Sequence, residues 1–233
     1  MASSDASLKL SEVFESLQGE GTTAGVPTMF VRLSQCNLHC TWCDTKYTWD
    51  FTHYDYEREV HEREVMSVAA QVNASKTRRL VLTGGEPLLQ QRALASFFAA
   101  LDSDIVVEVE TNGTIAPTRE TLERVNQWNV SPKLSNAGDP EHLRLRHAVL
   151  LSMRDQPLAF LKFVVESEAD YAEADALAKR LSWPSARVIF MPQASERDAL
   201  RERSPAVARA AHAHGFRFSS RLHLELWGGR RGT

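Results

Sequence analysis

The chain has 233 residues, 43% hydrophobic and 24% charged, with a formal net charge of −3. That length suits one α/β domain spanning residues 1–233. No apolar run approaches the roughly 20 residues a membrane helix needs, and the small negative charge gives no general electrostatic reason to bind nucleic acid or an anionic membrane. The N-terminal residues 1–14 lack a basic region followed by an apolar stretch, so no secretory signal is expected and the cytoplasm is the expected location. The expected partner is a small molecule.

In chain order, apolar and β-branched runs at 29–33, 80–83, 105–110, 130–133, 160–165, 188–191 and 216–219 predict strands. Helical spacing of apolar residues at 65–74, 88–101, 169–181 and 197–214 predicts helices between them. Residues 47–63, rich in aromatic, acidic and His side chains, read as a loop. Ser167 and Ser195 each precede a helix with an acid three residues on, Asp170 and Asp198, which predicts capping boxes; Gly215 stands where a left-handed cap ends a helix. Arg201, Arg203 and Arg209 read as a solvated helix face. This βα rhythm predicts parallel strands joined by right-handed crossovers. The strands are too few for an eightfold barrel, so the expectation is an α/β fold of the partial, or split, βα-barrel kind. Such sheets place their chemistry at the C-terminal ends of the strands.

All three cysteines lie within eight positions, as Cys36, Cys40 and Cys43, in the spacing C-x3-C-x2-C just after a strand. That is no disulfide framework. Thiolates suit zinc and iron–sulfur clusters, and four ligands normally close either site. With His39 as fourth ligand the segment would make a structural zinc site; without it, a cubane cluster would keep one iron open to a small molecule. Thr83-Gly84-Gly85-Glu86-Pro87 follows an apolar strand, where paired glycines admit a ligand close to the backbone and Glu86 brings a negative charge. Ser131-Pro132-Lys133 and Met191-Pro192-Gln193-Ala194 end later strands in the same way.

The cysteine segment, with Trp42 before its third cysteine, and the Gly-Gly-Glu turn resemble the radical S-adenosylmethionine superfamily. Ser16-Leu17-Gln18-Gly19-Glu20-Gly21, Phe30-Val31-Arg32-Leu33, Cys43-Asp44-Thr45, Glu110-Thr111-Asn112-Gly113, Leu222-His223 and Trp227-Gly228 narrow the resemblance to the 7-carboxy-7-deazaguanine synthase family, from about Leu10 onward. The resemblance implies a radical enzyme that converts 6-carboxy-5,6,7,8-tetrahydropterin to 7-carboxy-7-deazaguanine with loss of ammonia, in queuosine and 7-deazapurine biosynthesis. It implies a 4Fe-4S cluster on Cys36, Cys40 and Cys43, and S-adenosylmethionine on Trp42, Cys43, Asp44, Gly85, Ser131, Pro132, Lys133, Met191, Pro192, Gln193 and Ala194. It also implies Mg²⁺ on Thr45 and substrate contacts from Leu17, Gln18, Gly19, Arg32 and Thr83. A homodimer and an electron donor such as flavodoxin or ferredoxin go with it. The residue types agree: the Gln18 amide suits a pterin edge and the Arg32 fork suits a carboxylate. As alternatives, Gln18 could cap a turn, Arg32 could pair with a structural acid and Thr45 could cap the turn after Asp44. Gln35 departs from the pattern, standing before Cys36 where glycine is expected.

Overall fold

Period-two alternation of side chains builds the sheet. In β2 (Pro27–Leu33), Met29, Val31 and Leu33 point into the hydrophobic core while Phe30 and Arg32 point the other way. The same division recurs in β4 (Arg79–Gly84), β5 (Val106–Thr111), β6 (Gln127–Val130), β7 (Ala159–Val165) and β8 (Val188–Pro192). One face carries Leu80, Leu82, Val107, Val109, Trp128, Val130, Leu161, Phe163, Val188 and Phe190 against the helices. The other carries Thr83, Glu108, Glu110, Asn129, Lys162 and Met191. Burying apolar residues on one face alone fixes the register, since a slip of one residue would turn every acid and lysine into the core.

This is a computed structural model, and it describes residues 6–233. With β1 (Ser7–Leu17), β3 (His61–Glu64) and β9 (Arg217–Phe218) the sheet has nine strands in the order β3-β1-β2-β4-β5-β6-β7-β8-β9. The strands from β2 through β9, β3 apart, run parallel, as the βα rhythm predicted, and the order is linear, as a partial barrel requires.

The structure corrects the sequence reading in several places. Strands β1 and β3 are antiparallel additions at one edge. Apolar runs, the signature of strands buried on both faces, do not find them: β1 alternates polar with apolar residues and is broken by a register shift between Leu10 and Glu12. The stretch read as a loop holds β3 and a short helix, Tyr56–Glu59. Strand β6 starts at Gln127 rather than at 130, because Gln127 and Asn129 find polar partners on the inner face. Short helices at Arg119–Arg124, Glu141–Arg144, His147–Arg154 and Leu222–Trp227 were not predicted. Helices Val65–Ala74 and Arg197–His214 match their expected bounds. The 88–101 segment divides into a tight turn, Pro87–Gln90, and a helix, Gln91–Ala100. Ser167 and Asp170 form the expected capping box, and Gly215 ends its helix at φ 68°. Ser195 does not cap: Glu196 holds that position with no side-chain bond. Arg203 is not simply solvated, since it donates to the Gln193 carbonyl at 2.7 Å and pairs with Glu166 at 3.1 Å.

Candidate active site

A cavity opens at the C-terminal ends of the parallel strands, with Cys36, Cys40 and Cys43 lining it together with Arg32 and Lys162. Its far wall begins at Arg32 on β2. Nε donates to Glu12 at 2.8 Å, and Tyr47 donates its hydroxyl to the same carboxylate oxygen at 2.7 Å. The terminal guanidinium nitrogens have no protein acceptor among the described residues, so Arg32 pairs with a structural acid and still presents a donor edge to the cavity. Phe14 and Phe30 stack beside it with ring centroids 5.0 Å apart.

Across the cavity, Glu110 on β5 accepts from Thr83 at 2.9 Å and lies 3.6 Å from Lys162. Gln18 does not cap a turn with its amide group alone: Nε2 donates to Glu108 at 3.1 Å and reaches Glu110 at 3.5 Å, while Oε1 accepts from the Glu20 backbone at 3.2 Å. Glu108, fully buried beneath it, also takes Arg79 at 2.9 Å, Thr23 at 2.9 Å and Asn129 at 2.5 Å. Glu20 pairs with Lys162 and Arg221, and these two cations hold its carboxyl well below the ordinary range against the cost of burial. Gly19 needs to be glycine here, since a Cβ would come 2.1 Å from the ring of His223, another cavity residue. Burial pushes the His223 pKa down.

The radical SAM superfamily pattern matches residues 31–141. The 7-carboxy-7-deazaguanine synthase of Pyrobaculum aerophilum is 39% identical over 226 residues, covering 97% of each chain. That of Halobacterium salinarum is 34% identical, covering 94% of this chain and 90% of its own. The chain belongs to the 7-carboxy-7-deazaguanine synthase family. Among solved structures, that of QueE from Escherichia coli superposes with a TM-score of 0.69 at 25% identity, covering 93% of this chain and 95% of that one. Membership makes this a radical S-adenosylmethionine enzyme with a 4Fe-4S cluster.

The residues fit the family's cofactors. All three cysteines are free and share one wall with Leu38, Trp42 and Ala137. Burial pushes the Cys36 thiol up to about 12 and Cys40 up to about 11, so the thiolates need a cationic partner to form. N–H donors already point at sulfur: Leu38 N at 3.5 Å from Cys36 and Trp49 Nε1 at 3.3 Å from Cys43. A single zinc fits poorly. His39 stacks on Trp49 with centroids 4.9 Å apart, and among the described residues no three His, Cys, Asp or Glu converge on one metal position. A cubane, whose thiolates bind different irons, does not require such convergence.

Docking of the cluster loop explains both Gln35 and the glycine turn. Gln35 sits at φ 74°, the left-handed conformation its position called for. That turn lets its carbonyl accept from Glu86 N at 2.9 Å, and a Cβ on Gly85 would come 1.8 Å from the same oxygen. Glu86 itself faces away from the cavity. Its carboxylate accepts from Leu88 N at 3.0 Å, Asn112 N at 2.7 Å and the Thr111 hydroxyl at 2.9 Å, which ties the turn to β5 instead of supplying charge to a ligand.

Of the cofactor residues named from sequence, Trp42, Cys43, Asp44, Gly85, Ser131, Lys133 and Met191 line the cavity. Lys133 donates to the Ser131 carbonyl at 3.0 Å and stands 5.7 Å over the Trp42 ring. Pro132, Pro192, Gln193 and Ala194 do not line it. Gln193 turns toward Arg203, and Ala194 is buried against Leu200 and Leu224. On the substrate side, Gln18, Arg32 and Thr83 line the cavity, and Gly19 packs on His223 beside it. Leu17 instead lines a separate hollow with Pro27 and Trp227. Thr45 lines the cavity too. It starts the tight turn Lys46–Thr48 but makes no capping bond with its side chain, so the hydroxyl is free of the turn that would otherwise explain it. Glu20, Glu110 and His223, quoted from the sequence only as parts of motifs and given no role, and Lys162 and Arg221, not singled out at all, are also cavity residues. For Glu110 and Lys162 the signal is present, a charged residue inside the otherwise apolar strands β5 and β7; Glu20, Arg221 and His223 lie in a turn and around the helix Leu222–Trp227, where no strand pattern marks them.

Proposed function

We propose that this chain converts 6-carboxy-5,6,7,8-tetrahydropterin to 7-carboxy-7-deazaguanine with loss of ammonia, on the route to queuosine and related 7-deazapurines. The observation that carries the reading is the free donor edge of Arg32 in the same cavity as the three cluster thiols. When bound, the cluster and S-adenosylmethionine supply the 5′-deoxyadenosyl radical that takes a substrate hydrogen and later returns it. The chain's own residues do the placing. Arg32 takes the pterin carboxylate, and Gln18, Thr83 and Glu110 present amide, hydroxyl and carboxylate groups to its ring edge. Trp42, Asp44, Gly85, Ser131, Lys133 and Met191 hold S-adenosylmethionine against the cluster loop.

Thr45 supplies one oxygen to a Mg²⁺ ion shared with the substrate, the arrangement magnesium favours when few protein groups are available. Its hydroxyl takes no part in capping the turn that follows and lines the cavity 3.6 Å from Cys43 Sγ, which supports this. We further assign a cytoplasmic homodimer that draws electrons from a flavodoxin or ferredoxin. Among the described residues no helix is long and apolar enough to cross a membrane.

Anaerobically reconstituted protein given the pterin, S-adenosylmethionine, Mg²⁺ and a reductant should yield 7-carboxy-7-deazaguanine, identified by mass. A protein with full cluster and bound S-adenosylmethionine that leaves the pterin unchanged would overturn the assignment. At limiting Mg²⁺, wild type should be stimulated by added metal, whereas Thr45→Ala should need much more or ignore it. Equal metal dependence at equal cluster loading would return Thr45 to a turn role.

A further inference from the structure

Five charged side chains of alternating sign run across the cavity: Asp44, Arg221, Glu20, Lys162 and Glu110. Each comes from a different part of the fold, namely the cluster loop, the segment before helix Leu222–Trp227, the turn after β1, β7 and β5. Arg221 bonds Asp44 and the Ala194 carbonyl, and its Nε lies 3.2 Å from Glu20. The other oxygen of Glu20 is 2.5 Å from Lys162, whose Nζ stands 3.6 Å from Glu110. The middle is sealed and the ends are open. Lys162 and Arg221 side chains are 5% and 8% exposed and Glu20 12%, whereas Glu110 is 21% and Asp44 42% exposed. The open ends belong to opposite tasks: Asp44 sits between cluster ligand Cys43 and Thr45, and Glu110 sits with Gln18 and Thr83.

We propose that Glu20, Lys162 and Arg221 are positioning residues that couple substrate binding at Glu110 to S-adenosylmethionine binding at Asp44. This rests on the proposed activity for the identity of the two ligands. A ring N–H of the pterin competes with Lys162 for Glu110, whose contact is the longest in the chain. Lys162 is then left to Glu20 alone, which offsets more of the Glu20 charge and loosens its 3.2 Å hold on Arg221; Arg221 is left to the Asp44 contact it already makes, and the cluster loop is held where S-adenosylmethionine binds. In a dry interior such exchanges are not screened away. By reciprocity each ligand tightens the other by the same factor.

The test uses holoenzyme with the cluster oxidised, so that no turnover occurs. The Kd of S-adenosylmethionine is measured by equilibrium dialysis with and without 6-carboxytetrahydropterin. In wild type the pterin should tighten it by roughly 5- to 150-fold, the usual span of coupling between sites. Glu20→Gln should bring that ratio close to one. A merely structural role would weaken both states equally and leave the ratio intact, which would overturn the proposal, as would a wild-type ratio of one. If Glu20→Gln fails to load its cluster, Lys162→Met breaks the next link and is read in the same way. A wild type that does not bind the pterin at all removes the proposed activity and this coupling with it, whereas a wild type that turns the pterin over but shows no coupling removes the coupling alone.

Discussion

Arg32 answers to two carboxylates, one in the protein and one in the proposed substrate. Glu12 takes Nε, which sets the plane of the guanidinium and leaves its outer edge for the cavity. Arg32→Lys keeps the charge and loses the two parallel bonds. A hydrogen bond to a charged group is worth about 1.5–3 kcal/mol, so pterin affinity should fall roughly 10- to 150-fold while S-adenosylmethionine affinity stays as it was; titration of each ligand checks this, and unchanged pterin affinity would leave Arg32 a structural residue. Gln35 invites the opposite experiment. A left-handed conformation costs an L-residue about 1–2 kcal/mol, and glycine loses about 0.5–1 kcal/mol more than other residues in unfolded-chain entropy. Gln35→Gly should therefore stabilise the cluster-free chain by about 0.5–1 kcal/mol, a rise of roughly 2 °C in Tm by calorimetry. The sequence made Gln35 conspicuous because only backbone conformation was at stake. It misplaced Glu86, whose destination depended on Thr111 and Asn112, residues 25 and 26 positions away.

At the scale of elements, the cluster loop and the glycine turn fold as one unit. Gln35 donates its N–H to the Thr48 carbonyl at 2.7 Å, its own carbonyl accepts from Glu86, and Gly85 N donates to Leu33 at 3.0 Å. Little space separates the two backbones. Gly85→Ala should push the loop off the turn, lowering cluster loading and weakening S-adenosylmethionine binding roughly 5- to 150-fold, since overpacking backbone against backbone costs about 1–3 kcal/mol. Iron and sulfide content with ligand titration decides it; normal loading and affinity would mean the two elements are independent. Elements were legible in proportion to how far local pattern decides them. Helices Val65–Ala74 and Arg197–His214 carry their own apolar spacing, and Ser167 with Asp170 carries its own cap. Strands β1 and β6 do not, because their polar inner residues make sense only beside partners supplied by other strands.

At the scale of the molecule, the sheet buries charge on its inner face and stability must follow pH accordingly. Glu20 and Asp44 both have carboxyls held below the ordinary range, Lys162 and Arg221 outweighing for Glu20 and Arg221 for Asp44 the cost of burial. A group whose pKa is lowered on folding binds its proton more readily in the unfolded chain. Its stabilising contribution is therefore complete above the ordinary carboxylate value of about 4.3 and is lost as pH falls below it. Removing one member of a buried charge network leaves others short of a partner, and here Lys162 keeps Glu110 and Arg221 keeps Asp44, so the cost lies under the roughly 3–5 kcal/mol of a fully broken pair. Glu20→Gln should thus be less stable than wild type by about 1–3 kcal/mol at pH 7 in urea unfolding of the cluster-free chain. The gap should narrow steadily between about pH 5 and 3, because wild type must protonate Glu20 on unfolding and the variant has nothing there to titrate. A gap that stays constant across that window would mean that Glu20 keeps an ordinary pKa, and that the two buried cations take their stabilisation from Asp44 and Glu110 instead.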